Sequence, residues 1–173
     1  LESADVLQWS RNLAETGRGL GPIVLWGRSM GAAVALMAAA NAAADRTSAP
    51  GFAGLILEAA YVDLADAVAV WLRLAARCPR RLSLPLARAM LARGSRRTNV
   101  ALAQPRPLDL APRVSTPTLL IHGQEDRLVP SASARELAAA FPNAAELLEI
   151  PDGRHANLIE VGAGGLVDRI GLF

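Results

Sequence analysis

The stretch Ile23-Val24-Leu25-Trp26-Gly27-Arg28-Ser29-Met30-Gly31, followed by AAVALMAAANAAA at 32–44, decides how this chain folds. IVLW at 23–26 is apolar at every position, which fits a parallel strand buried on both faces better than a half-exposed antiparallel one. The Ala-rich run after it is shorter than the ~20 residues needed to span a bilayer and reads as a packed helix. Between them, Gly27-Arg28-Ser29-Met30-Gly31 fits the pattern G-x-S-x-G in the strand–turn–helix setting that gives the pattern its meaning. The chain must turn sharply while presenting Ser29 at the apex. Side chains two residues to either side would collide, so glycine is expected at both Gly27 and Gly31. The turn also sets Ser29 at a helix N-terminus, where backbone N–H groups and the positive end of the macrodipole face developing negative charge. The Met30 amide is the expected oxyanion donor.

Working outward, GLILEAA at 54–60, TLLIHG at 118–123 and AELLEIP at 145–151 repeat the apolar strand pattern. Helical stretches separate them at 30–44, at 64–77 with 84–93, and at 131–140, and an amphipathic helix at 4–16 precedes them all, stopped by GRGLGP at 17–22. Strands alternating with helices predict an α/β fold: a parallel sheet of about four strands with right-handed crossovers and flanking helices. The 173 residues form one domain, 1–173, long enough to bury a real core without disulfides or structural metal. Residues 62–113 read as a cap or lid inserted into it. Within them, 73–113 holds ten of the 18 arginines, five prolines and a single acidic residue, Asp109.

Composition narrows the function classes. One cysteine, Cys78, cannot make an internal bridge, and two histidines with one cysteine make no zinc cluster. The basic residues are all arginine, 18 against 16 acidic residues, for a net charge of +2. Aromatic residues are only 4% of the chain and none is interleaved with the arginines, so no base-stacking platform is present and no nucleic-acid partner is expected. The chain starts at Leu1 and shows no charged n-region followed by an apolar h-region, so a cytoplasmic location is expected.

A lone serine is a weak nucleophile and needs a base oriented by a third group. After TLLIHG, the loop Gly123-Gln124-Glu125-Asp126-Arg127-Leu128-Val129-Pro130 places a carboxylate at the carboxyl end of a strand, where open parallel sheets build their sites. Asp126 is the candidate orienter. After the last strand, Gly153-Arg154-His155-Ala156-Asn157-Leu158 sets a histidine in a Gly-containing loop, and His155 is the candidate base. Glu125 and Asp63 compete for the acid role, Glu125 by adjacency and Asp63 because it follows GLILEAA. With Asp66, Asp63 also reads as the N-cap and first turn of the helix at 64–77. His122 competes with His155, but it ends a buried strand and reads as a structural histidine.

GRSMG, IHGQEDRLVP and GRHANL in this order resemble the alpha/beta-hydrolase superfamily, and in particular its small esterase, lipase, depalmitoylase and aminopeptidase-like members. The resemblance runs over nearly the whole chain and implies a Ser29–His155–Asp126 triad, with Gly27 and Gly31 forming the nucleophile elbow. It implies cleavage of an ester, thioester or amide in a small-molecule acyl substrate, with no metal or organic cofactor required. An acyltransferase or perhydrolase would use the same triad, and a binding module would keep the fold without needing Ser29. Members of this fold carry about four further N-terminal strands and a second oxyanion donor after the third. The chain is therefore expected to be the C-terminal part of a longer enzyme, with IVLW at a sheet edge. The +9 charge of 73–113 is expected either to recruit an anionic substrate or membrane surface or to be a solvated cap.

Overall fold

Four apolar segments pair as a parallel sheet in the order β1-β2-β3-β4, formed by Val24–Arg28, Gly54–Glu58, Thr118–Gly123 and Glu146–Ile150. The computed structural model describes residues 2–16, 21–45, 51–102, 105–143 and 145–173, so most of the GRGLGP stop at 17–20 lies outside the described residues. The helices are α1 (Glu2–Glu15), α2 (Met30–Ala44), α3 (Leu64–Ala76), α4 (Arg80–Thr98), the short α5 (Pro107–Leu110), α6 (Ser131–Ala140) and α7 (Leu158–Leu172). A 3-10 turn, Ala111–Arg113, follows α5.

Parallel register puts Leu55, Leu57, Leu120 and Leu147 on one face of the sheet and Ile56, Leu119, Ile121 and Leu148 on the other. The first face is covered by α2, α5, the 3-10 turn and α6, whose Ala35, Leu36, Leu110, Ala111 and Leu137 are buried there. The second face is covered by α7 through Leu158 and Leu166, over β3 and β4. α1 packs on α2. The two central strands, β2 and β3, are buried at every position, as parallel strands with both faces covered should be.

β1 departs from the expectation of burial on both faces. It is an edge strand whose second face α7 does not reach, and it leaves Val24 43% and Trp26 48% exposed. It also runs later than IVLW, through Gly27 to Arg28.

Between β2 and β3, α3 and α4 form a hairpin that packs chiefly on itself through Ala69, Leu72 and Ala87. α4 is longer than the helix expected at 84–93. It starts at Arg80 behind Pro79 and carries Pro85 in its interior, where the ring is exposed. α5 and the 3-10 turn were not expected at all from a stretch rich in proline, yet Leu110, Ala111 and Val114 there are core residues. Among the described residues no helix is long and apolar enough to cross a membrane.

Candidate active site

Ser29 sits between β1 and α2 with φ 53° and ψ −113°, a conformation that L-residues rarely adopt. Its N–H donates to the carbonyl oxygen of Glu58 at 2.8 Å, so the turn is fastened to the end of the neighbouring strand. Gly27 is indispensable to this turn, because a Cβ there would lie 2.1 Å from the carbonyl oxygen of Gly31. Gly31 is a different case from the one its place in the pattern suggests. A Cβ on Gly31 meets nothing within 4 Å, so the close approach is one-sided: Gly27 faces the Gly31 backbone, and Gly31 faces open space. Met30 opens α2, and its N–H is among the first-turn donors that a helix leaves without an internal partner.

The two other candidate residues come from the far ends of β3 and β4. Asp126 follows β3 and is buried, its side chain wholly out of solvent. Its Oδ1 accepts from the N–H groups of Leu128 (2.8 Å) and Val129 (2.9 Å), while its Oδ2 lies 2.7 Å from Nδ1 of His155. On the other side of the ring, Nε2 of His155 lies 2.9 Å from Ser29 Oγ. Ser29, His155 and Asp126 therefore form one continuous line of hydrogen bonds. Burial by itself would raise the Asp126 carboxyl. The bonds from His155, Val129 and Leu128, together with charge on His155, outweigh it and hold the group below the usual carboxylate range.

The competing residues are occupied elsewhere. Glu125 is exposed and lies 3.7 Å from the Arg154 guanidinium. Asp63 caps α3, accepting from the Ala65 N–H at 2.7 Å, and lies 3.8 Å from Arg106. His122 is 1% exposed, and its Nε2 donates to the Val129 carbonyl at 2.8 Å. It thus braces the loop that carries Asp126.

Sequence reasoning overlooked how the acid and histidine loops are joined. A Cβ on Gly123 would stand 2.2 Å from the Gly153 carbonyl oxygen, so the two loops meet glycine to glycine. Glu125 N–H donates to that same carbonyl at 2.9 Å, and Gln124 N–H to Ile150 at 2.9 Å. Asn157 shapes the turn around His155, its Oδ1 accepting from the Arg154 N–H at 2.7 Å. Glu58 was overlooked as well. It is 2% exposed at the end of β2, and its Oε1 has no hydrogen-bond partner among the described residues. The available signal was a single carboxylate closing an otherwise apolar strand.

An apolar hollow of about 330 Å³ opens beside the turn, walled by Met30, Ala33, Val34, Met37, Leu64 and Leu102, with Tyr61 between it and a second hollow of about 310 Å³. Burial, and then the charge of Asp63, push the Tyr61 hydroxyl above its usual pKa. Among the described residues no three His, Cys, Asp or Glu side chains gather as metal ligands would.

Known proteins share this architecture. An esterase of Pyrococcus furiosus superposes with a TM-score of 0.71 over 98% of this chain at 19% identity, and the chain spans 60% of that esterase. A thermophilic esterase from Thermogutta terrifontis superposes with a TM-score of 0.62 at 23% identity, with 98% of this chain and 69% of that one covered. At such identities the likeness is one of fold. An L-allo-isoleucyltransferase of Pseudomonas savastanoi pv. glycinea is 41% identical over 51 residues, which are 30% of this chain and 18% of that protein. The alpha/beta hydrolase family matches over residues 1–168, and with that extent and this sheet the chain belongs to the alpha/beta hydrolase family.

Proposed function

We propose that this chain carries the reacting residues of a serine hydrolase that cleaves a carboxylic ester, thioester or amide through an acyl-enzyme. The observation that carries this reading is the line Ser29 Oγ to His155 Nε2 to Asp126 Oδ2, with steps of 2.9 and 2.7 Å. An ionised Asp126 only accepts hydrogen bonds, so His155 holds its proton on Nδ1 and turns the lone pair of Nε2 toward the Ser29 hydroxyl. As Ser29 attacks the substrate carbonyl, His155 takes the hydroxyl proton on Nε2, and Asp126 stabilises the imidazolium. The Met30 N–H donates to the oxyanion at the positive end of α2. The imidazolium then returns its proton to the leaving group, and water, deprotonated by the same His155, releases the acid. The apolar hollow beside Met30 suits an apolar acyl group. In this reading the α3–α4 hairpin, within residues 62–113, serves as the cap, while α5 and the 3-10 turn belong to the core under the sheet.

Labelling by a fluorescent fluorophosphonate tests the proposal. Wild type is expected to be labelled and Ser29→Ala to be blank. An unlabelled wild type with native circular dichroism would overturn it. A second reading, transfer of the acyl group to an acceptor other than water, draws on the 51-residue match to a transferase. Product analysis with a competing alcohol or amine separates the two.

A further inference from the structure

An arginine-rich surface lies on the α3–α4 hairpin, which holds none of the residues of the hydrogen-bonded line at Ser29. α4 carries six arginines, at 80, 81, 88, 93, 96 and 97, and no acidic residue. Among the described residues none of the six lies within ion-pair distance of a carboxylate. The same helix exposes Leu82 (52%), Leu86 (44%) and Met90 (47%) at i, i+4 and i+8, which is one stripe along its surface. Ser83 and Ala87 are the residues that α4 buries, so the large apolar side chains point away from the hairpin's own packing. α3 adds the exposed Trp71 and Leu74.

Unpaired cations interleaved with an exposed apolar stripe call for a partner offering negative charge and an apolar layer at once. We propose that the α3–α4 hairpin docks on an anionic lipid bilayer, its arginines at the headgroups and Leu82, Leu86 and Met90 at the acyl boundary. Trp71 is of the type that settles at such an interface. A polyanion such as RNA would engage the arginines and leave the stripe in water. A neutral bilayer would take the stripe and leave six cations without counter-charge. The hairpin borders the loop after Asp126, since Arg73, Ser83 and Leu84 share a hollow with Leu128, Val129 and Pro130. Docking would therefore bring the acid loop close to the membrane surface, whichever reaction the site performs.

Vesicle flotation tests this without any assay of activity. Wild type is expected to float with vesicles of mixed phosphatidylglycerol and phosphatidylcholine at least about tenfold more strongly than with phosphatidylcholine alone, and to be released by salt. The variant Leu82→Ser/Leu86→Ser/Met90→Ser, whose charge is unchanged, is expected to lose the vesicles. Arg81→Gln/Arg88→Gln/Arg93→Gln/Arg96→Gln, whose stripe is unchanged, is expected to lose them too. Helical spacing sets Arg93, three residues after Met90, on the line of the stripe and Arg96 beside it, with Arg81 and Arg88 to one side, and circular dichroism of both variants checks that α4 persists. Equal flotation with neutral vesicles, no flotation of wild type, or flotation undiminished in the serine variant would overturn the proposal. So would binding of homopolymeric RNA that matches the vesicles in strength and ignores the serine substitutions.

Discussion

Ser29 holds a backbone conformation that costs on the order of 1–3 kcal/mol, and the neighbouring residues are what maintain it. Gly27 and Gly31 look equivalent in the pattern but not in space. Gly27→Ala forces a methyl onto the Gly31 carbonyl and is expected to displace the turn or unfold the chain, read as lost fluorophosphonate labelling and a lowered Tm. Gly31→Ala has room, and a gain of up to about 1 kcal/mol is expected from better helix propensity in α2, read by denaturant titration. Asp126→Asn should preserve the geometry but favour the wrong tautomer of His155, lowering kcat by a factor on the order of 10⁴ on an activated ester. Asp126 also makes a prediction about pH. Its carboxyl is held below the ordinary value of 3.8, so its stabilisation is complete above that value and fades as pH falls through the lower folded-state value. Denaturant midpoints of wild type and Asp126→Asn should therefore converge below about pH 4. The three residues of the line are legible in the sequence because each stands in a short local pattern at a strand exit. The contact of Gly123 with Gly153 is not, since only the pairing of β3 with β4 creates it.

At the scale of elements, β2 and β3 announce themselves by unbroken apolar runs, and α2 and α6 have the bounds that the sequence suggests. Proline is where the reading fails. Pro85 suggests a helix beginning near it, yet α4 starts five residues earlier and tolerates the missing N–H on an exposed turn. Replacing Pro85 with alanine is expected to stabilise the chain by up to about 3 kcal/mol, seen as a raised Tm. The prolines around α5 mask a helix for a related reason: Pro107 is its first residue, where no N–H is needed. The wall of the apolar hollow offers a further check. Val34→Trp should fill it and slow the turnover of octanoyl esters much more than that of acetyl esters. Equal slowing of both would assign the acyl group to another place.

Across the whole molecule the two sheet edges are managed differently. β4 sets Glu146 against Arg169 of α7 and Glu149 against Arg135 of α6, so an arginine from each covering helix guards one of its faces. β1 carries no such charge at its half-exposed Val24 and Trp26, and the apolar run that marks it as a strand conceals which of its faces is covered. Trp26→Lys should reduce self-association of this chain in light scattering. The parallel direction of the strands and the end of the sheet that gathers the reactive residues follow from the alternation of apolar runs and helices. The facing surfaces that lock the loops together do not. Gly123 and Gly153 consequently behave as a matched pair for anyone transplanting this histidine loop onto another scaffold. A graft that brings one glycine without the other puts a methyl group where a carbonyl already stands.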